Sequence, residues 1–189
     1  MNLSFYLELG IKHILDLNAY DHLLFVVALC AVYQLKDWKR VLLLLTAFTV
    51  GHSVTLILAG LDILKLPQNL IETLIPITIL ICAVGNLLRI KGQKNWYAYP
   101  LTLLFGFIHG AGFSNFFNHM LSTNNESIVG PLFAFNLGIE VGQLIIVLGY
   151  FTFYYIAYQI FSIKNRHWSL TVNSLIALIA VYMIIVNNA

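Results

Sequence analysis

Long apolar runs separated by short polar segments make up most of the chain. A helix needs roughly 20 apolar residues to cross a hydrocarbon layer of about 30 Å, and most of these runs approach that length. The pattern predicts six membrane-spanning helices at about 20–35, 40–59, 68–88, 99–120, 129–153 or beyond, and 169–186. No segment between them is long enough to link separate domains. Residues 1–189 are therefore expected to form one transmembrane domain, with the bundle over 20–188.

The first 18 residues have a different pattern. Glu8, Lys12 and Asp16 are spaced four apart, so they share one face of a helix whose other positions are mostly apolar. This predicts a short amphipathic helix over about 4–17 that lies in the membrane interface. The predicted fold class is an all-α integral membrane protein, a compact bundle of about six transmembrane helices preceded by this short helix.

Composition supports a membrane protein and excludes a nucleic-acid-binding protein. Hydrophobic residues make up 60% of the chain and charged residues 10%, whereas soluble domains carry roughly 25% charged residues. The net charge of +2 is dispersed over short loops, so no basic stripe exists to hold a nucleic acid backbone. The expected partner is the lipid bilayer, and nucleic acid is not one. Cys30 and Cys82 show no paired spacing and are interpreted as packing residues.

Basic residues occur in alternate loops, which predicts orientation because short cytoplasmic loops carry the excess of Lys and Arg. The loops expected in the cytoplasm contain Lys36, Lys39, Arg40, Arg89, Lys91, Lys94, Lys164 and Arg166. The opposite loops contain Asp62, Lys65, Asn124, Asn125 and Glu126. Both termini are therefore predicted to face outward.

Several ionisable residues fall within the predicted spans, where each costs about 2.5–3.5 kcal/mol on insertion scales and is by default a functional hypothesis. His52, His109 and Glu140 lie at similar predicted depth, and Asp21 and His22 open the first span on its outer side. The helices that carry the first three have small residues four positions apart, which let helix backbones approach closely. These small residues are Ala47, Gly51, Gly106, Gly110, Gly138 and Gly142. The pattern predicts a divalent metal site that is open to the outside.

Each residue also has a simpler interpretation. A single intramembrane histidine is commonly a hydrogen-bonding group between helices. For Asp21 with His22, capping of a helix at the headgroups is an equal alternative. Glu72 lies in the first turn of its helix, where a carboxylate is favoured by the helix dipole, so a structural role is preferred for it. His119 and His167 lie at predicted membrane edges and are expected to be solvated.

Four stretches resemble the HupE/UreJ family of hydrogenase and urease accessory membrane proteins. They are GIKHILDLNAYDHLLF (Gly10–Phe25), FTVGHSVTL (Phe48–Leu56), FGFIHGAGF (Phe105–Phe113) and FNLGIEVGQ (Phe135–Gln143). The Asp-His pair and the later Gly-His-Ser also resemble the wider nickel and cobalt permeases. The resemblance implies a location in the bacterial inner membrane and metal recognition by six residues, namely His13, Asp21, His22, His52, His109 and Glu140. Seven residues separate His13 from Asp21, more than in many family members, so the role of His13 is left open.

Three classes of function remain open from the sequence. A permease or metal-handling protein for Ni, Co or Zn fits the imidazole and carboxylate ligands, whereas Cu(I) would favour thiolate or thioether ligands. A zinc-dependent intramembrane hydrolase is the alternative, because catalytic zinc sites have three protein ligands and an open position for water. Ser53 or Asp21 would then orient that water. A metal-free structural or assembly factor would use the polar groups only to join helices. The first class is preferred because the resemblance supports it, and enzymatic activity is left undecided.

Overall fold

The protein structure, a computed structural model, describes residues 3–61, 63–64, 66–88, 98–124 and 129–188, with the backbone alone at 115–116 and 118–124. Much of the loop charge that predicts orientation lies outside these residues, as do the side chains of His119 and Asn124. The affected loop residues are Asp62, Lys65, Arg89, Lys91, Lys94, Asn125 and Glu126.

Seven α-helices account for most of the described chain, and no strand occurs within those described residues. They are α1 (Leu3–Leu15), α2 (Asp21–Cys30), α3 (Trp38–Gly60), α4 (Gln68–Leu87), α5 (Ala98–Asn124), α6 (Val129–Phe161) and α7 (Asn165–Asn187). A single 3₁₀ turn, Leu35–Asp37, precedes α3. The predicted all-helical fold class is confirmed.

Among the described ranges, four helices are long and apolar enough to cross a membrane. They are α3 together with its preceding turn (Leu35–Gly60), α4, α6 and α7. An integral membrane protein is thereby supported. The count of six spanning helices stays a prediction, since α2 is apolar but has only 10 residues.

One helix ends earlier than the sequence predicts, and another continues beyond residue 153, as the prediction allowed. α2 ends at Cys30 although its predicted span continues to Leu35, and the chain turns directly after it. The turn is fixed by Asp37, whose carboxylate accepts a hydrogen bond from the Gln34 backbone N–H at 3.0 Å. At the other extreme, α6 continues to Phe161 and has 33 residues. A helix of that length is about 50 Å long and exceeds the hydrocarbon layer.

Glycines bring α3 and α5 into backbone contact. A Cβ atom added at Gly51, Gly106 or Gly110 would overlap the backbone of the opposite helix, and Gly110 faces the backbone of His52 itself. The close approach predicted from the small-residue spacing is therefore present between these two helices.

A second pair of close helices is formed by α1 and α6. Gly10 lies against the α6 backbone, Gly138 lies against the Leu7 carbonyl, and Ile14 contacts Gly142. Because Leu7 lies beside Gly138 and Ile14 beside Gly142, α1 runs in the same direction as α6. The small residues on α6 thus pack against α1, a partner helix that sequence spacing did not identify. The interfacial position of α1 stays a prediction.

Helix α2 lies at the centre of the bundle, where Phe25, Ala28 and Cys30 are at most 1% exposed. The Nδ2 group of Asn86 on α4 donates to the Ala28 carbonyl at 2.8 Å and to Oδ1 of Asn173 on α7 at 3.0 Å. These bonds join α2, α4 and α7 around the C-terminal end of α2.

The contact between α4 and α7 also satisfies a carbonyl freed by proline. Pro76 lies inside α4 and has no N–H to donate to the carbonyl of Glu72, four residues earlier. Asn187 at the end of α7 donates to that carbonyl from Nδ2 at 2.6 Å. The last turn of α7 is therefore held beside the first turns of α4.

Candidate metal centre

Four histidines and one aspartate converge from four helices. His13 lies near the end of α1, Asp21 and His22 begin α2, His52 lies in α3, and His109 lies in α5. They form two groups, one of His13, His22 and His52 and the other of Asp21, His22 and His109. Within each group the ligand atoms lie within 4.8 Å of one another, close enough for small movements to give bonds of about 2 Å to one ion.

The helix contacts explain why these side chains meet. The glycine contacts between α3 and α5 bring His52 and His109 to one level, and those between α1 and α6 bring His13 to the same place. The rings of His13 and His22 are 4.6 Å apart between centroids, and those of His22 and His109 are 5.1 Å apart. The start of α2 therefore lies between the two helix pairs.

Most of the imidazole nitrogens of this cluster are buried without hydrogen-bond partners. Five such nitrogens occur among the described residues, namely His13 Nε2, His22 Nε2, both nitrogens of His52 and His109 Nδ1. Leaving one buried polar atom unpaired costs about 1–3 kcal/mol, so several together at one point need a physical reason. A bound cation would supply it, because the lone pairs of neutral imidazoles are metal ligands.

Asp21 provides the carboxylate of the cluster. Its Oδ1 lies 3.2 Å from Nδ1 of His22, and its Oδ2 lies 3.9 Å from Nδ1 of His109. The side chain is 14% exposed, whereas the two histidines are 4% and 0% exposed. Asp21 is thus more exposed than the two histidines that it approaches.

Thr78 on α4 orients His109 and was not identified from the sequence. Its hydroxyl lies 2.6 Å from the Ile75 carbonyl and 2.9 Å from Nε2 of His109. If the hydroxyl donates to Ile75, it accepts from Nε2–H, and the lone pair of His109 is left on Nδ1, toward Asp21. Such outer hydrogen bonds fix the tautomer of metal-binding histidines. A hydroxyl two residues after Pro76 in an apolar helix was the available signal.

Phenylalanine rings surround the histidines. The Phe113 ring lies 4.1 Å from that of His13, and the Phe48 ring lies 5.2 Å from that of His109, between centroids. Phe25 and Phe135 contact the cluster in the same way. Because these rings keep water away, electrostatic interactions between the cluster and an ion would be weakly screened.

The donor set fits a borderline divalent metal. Imidazole nitrogens with one carboxylate oxygen suit Ni, Co or Zn, and neither Cys30 nor Cys82 belongs to either described group. With one carboxylate and neutral imidazoles, a dication bound here would keep a net positive charge. The family resemblance also implied Glu140 as a metal-recognising residue, which would have added a second carboxylate.

The structure does not bring Glu140 into either group of ligands. It lies half-buried on α6, on the face that also carries Asn136 and Gln143. Gln143 is fully buried and accepts a hydrogen bond from the Thr49 hydroxyl of α3 at 3.2 Å. The polar face of α6 therefore points toward α3, at a place next to the cluster along the helix.

Other predicted residues have their own settings. Glu72 accepts a hydrogen bond from Nε2 of Gln68 at 3.1 Å, within the first turns of α4 as expected for a helix-end carboxylate. The hydroxyl of Ser53 donates to the Thr49 carbonyl at 2.6 Å. His167 is exposed at the start of α7.

Comparison with known families gives the chain its relationship. Residues 1–187 match the model of a family described as HupE / UreJ protein. The chain belongs to the HupE/UreJ family. Its membership confirms the resemblance carried by the four sequence stretches, and it supports a membrane protein related to metal transport. No curated protein and no solved structure matches the chain.

Proposed function

We propose that this HupE/UreJ protein is a permease that takes a divalent ion, Ni, Co or Zn, from the outer side of a bacterial inner membrane. The observation that carries the proposal is the convergence of His13, Asp21, His22, His52 and His109, with five buried nitrogens that have no partner. A structural role as helix glue would require those nitrogens to be paired across helices, and they are not.

The outer side is proposed because of the loop charges, which orient both termini outward. In that orientation α4 begins and α7 ends on the outside. The cavity that they border together with Asp21 then opens to the same side. A metal ion would reach the cluster from outside without crossing the apolar inner half.

Glu140 is proposed to act beside the cluster on the ion's path. It is a half-buried carboxylate in an apolar helix, and such a group is costly unless it serves a function. Its helix already carries the buried Gln143, whose Nε2 has no partner. Glu140 would lower the positive charge that a dication leaves in a pocket with one carboxylate.

A zinc-dependent intramembrane hydrolase is the second candidate, and two observations favour it. Asn86 on α4 and Asn173 on α7, near the helix ends that the loop charges orient toward the cytoplasm, are hydrogen-bonded to each other. Together with the bond of Asn86 to the Ala28 carbonyl, this contact joins α2, α4 and α7 and closes that part of the bundle to an ion moving inward. Each group of three ligands also leaves a fourth position for a water, as catalytic zinc sites do.

Metal analysis of the purified protein tests the site itself. The wild type should retain a divalent ion through size-exclusion chromatography, measured by elemental analysis after growth with Ni, Co and Zn. His52→Ala and His109→Ala should retain less of it than the wild type while eluting as folded protein, because each removes a ligand from one of the two groups. Equal metal content in the wild type and both variants would remove the proposal and leave the metal-free structural class.

His167→Ala is the matched control, because it removes an exposed histidine far along the chain from the cluster. It should retain the metal content of the wild type. Glu140→Gln is expected to keep the ion, since Glu140 lies outside both groups. It should bind the ion more weakly, because a nearby negative charge is lost.

A further inference from the structure

His22 belongs to both groups of ligands, whereas the other members belong to one each. Asp21 and His109 occur only in one group, and His13 and His52 occur only in the other. The cluster is therefore not a single shell around one point. It is two triads of ligand atoms with one imidazole in common.

The two nitrogens of His22 have different surroundings. Nδ1 lies 3.2 Å from Oδ1 of Asp21, which places it in the triad with Asp21 and His109. Nε2, the other ring nitrogen, is buried without a partner, and we assign it to the triad with His13 and His52 because Nδ1 faces Asp21. One ring thus presents a separate lone pair or proton to each triad.

The two triads also border different cavities. Asp21 lines a cavity of about 430 Å³ that is bounded by α4, α7 and the segment before α2, with Glu72 and Asn187 in its wall. His13 lines another cavity of about 470 Å³ with Lys12, Asp16 and Phe113. The first contains two carboxylates and no basic residue. In the second, Asp16 is accompanied by the cation of Lys12.

We propose that a divalent ion occupies the two triads in turn, entering at Asp21, His22 and His109 and passing to His13, His22 and His52, with His22 as the shared ligand. This rests on the proposed function, because it gives the order of steps within that same site. The acidic cavity attracts the cation first. His22 is a ligand at both positions, first through one ring nitrogen and then through the other, while the two remaining ligands are exchanged.

Only one ion is held at a time. Two dications on either side of one imidazole ring would repel strongly in a poorly screened site, and Asp21 is the one carboxylate that either described triad contains. A neutral imidazole also has one lone pair and one N–H, so His22 binds one ion through one nitrogen in a given tautomer. Transfer between triads therefore accompanies a change of tautomer or a turn of the ring.

Titration of the purified full chain with Co²⁺ tests this proposal, because the visible absorption of bound Co²⁺ depends on its ligands. Elemental analysis measures how many Co²⁺ ions are bound. The wild type should bind one ion. Asp21→Asn should still bind one ion, more weakly, with the spectrum of an all-imidazole set. His52→Gln should also bind one ion, with a different spectrum that comes from the triad containing the carboxylate. His22→Gln and the double variant Asp21→Asn with His52→Gln should bind none.

Further variants keep the test decisive where one of these does not fold. His109→Gln replaces Asp21→Asn, and His13→Gln replaces His52→Gln, because each removes a ligand from the same triad. The two-position proposal is wrong if single variants of both triads abolish binding, or if variants of one triad have no effect on affinity or spectrum. If the wild type binds Co²⁺ and the variants give either of these contrary results, only the two-position proposal is overturned and the metal site itself remains supported. A wild type that binds no divalent ion overturns both proposals.

Discussion

The hydroxyl of Thr78 and Nε2 of His109 lie 2.9 Å apart across the contact between α4 and α5. The hydroxyl also lies 2.6 Å from the Ile75 carbonyl, so it has a fixed donor direction and accepts from the histidine. This relationship sets which nitrogen of His109 faces Asp21. A residue outside both triads thereby controls whether one of them has a free lone pair.

Thr78→Val should weaken divalent metal binding without unfolding the protein. Valine keeps the shape of threonine but removes the oxygen, so His109 is free to place its proton on Nδ1. Loss of an outer hydrogen bond of this kind typically costs 10- to 100-fold in affinity, and we expect about that loss. Competition with a chelator of known affinity measures it.

Thr73→Val is the matched control on the same helix. The Thr73 hydroxyl donates to the Asn69 carbonyl at 3.0 Å and is exposed, away from the cluster. It should leave metal affinity unchanged. If Thr78→Val binds metal as tightly as Thr73→Val, the role given to this hydroxyl in orienting His109 is wrong.

Gly110→Ala should reduce both stability and metal content. The added Cβ would overlap the backbone of His52, so α3 and α5 must separate and the histidines on them must move apart. Overpacking of this kind typically costs about 1–3 kcal/mol. Thermal unfolding in detergent, together with metal analysis of the folded fraction, measures the two effects.

Gly85→Ala provides the comparison, because a Cβ at Gly85 would meet no atom within 4 Å. Alanine favours a helix over glycine by up to about 1 kcal/mol. This variant should therefore be as stable as the wild type or slightly more stable, and it should keep its metal. Equal loss in both variants would show that α3 and α5 do not position the site as described.

Glu72→Gln should slow the loading of metal while leaving the final content unchanged. Glu72 lines the same cavity as Asp21 but belongs to neither triad, so it acts on the approach of the cation. The effect should be largest at low ionic strength, because salt screens an exposed charge. Stopped-flow mixing of the apo-protein with Co²⁺ gives the rate.

Glu8→Gln removes an exposed carboxylate on α1 that is paired with Lys12. Its loading rate should match that of the wild type at every salt concentration. An unchanged rate in Glu72→Gln as well would mean that the ion does not enter through the acidic cavity.

Orientation is tested by single cysteines at the two ends of α3. Ile63→Cys follows the end of this helix, where Ile63 is 68% exposed, and Lys36→Cys precedes its start and is also exposed. An impermeant thiol reagent applied to intact cells, or to spheroplasts where an outer membrane intervenes, should label the first and not the second. The wild type, in which Cys30 is buried and Cys82 is half-buried, gives the background labelling. The reverse pattern would place the cluster toward the cytoplasm.

Sequence patterns identified the helices and much of the cluster because depth in a membrane can be read along one helix. His52 and His109 each interrupt an apolar segment and are flanked by small residues, and both properties can be seen in the local sequence. Which helices become neighbours is not local. Gly138 and Gly142 indicated a close approach on α6, yet the helix that they contact is α1, a segment interpreted as interfacial.

The same limit explains Glu140 and Thr78. Spacing placed Glu140 on a polar face of α6 but gave no information on which helix that face meets. The structure directs the face toward Thr49 of α3 through Gln143. Thr78 was overlooked because a threonine in an apolar helix usually bonds to its own backbone, and only the fold shows its second partner.

Transport and hydrolysis differ in whether the inner half of the bundle opens. A carrier must expose its ion to both sides, and known carriers place such sites near the midplane beside interrupted helices. The break between α1 and α2, at residues 16–20, adjoins His13 and Asp21 and is the place where such an interruption would lie if α1 enters the membrane beside α6. In proteoliposomes that enclose a metal-sensitive dye, the wild type should admit Ni, Co or Zn, and His109→Ala should not.

The bonds of Asn86 to Ala28 and Asn173 hold α2, α4 and α7 together, so inward release must break them. Asn173→Ala removes one of these bonds without touching the cluster, and it should raise the rate of metal entry while leaving binding at equilibrium unchanged. His167→Ala, on the same helix, should leave the rate as it is. A wild type that binds metal tightly but passes none under either gradient direction would contradict the permease. The closed inner half would then be a permanent wall, and the open fourth position at the metal would be the place to look for hydrolysis of lipid or membrane-peptide substrates that chelation abolishes.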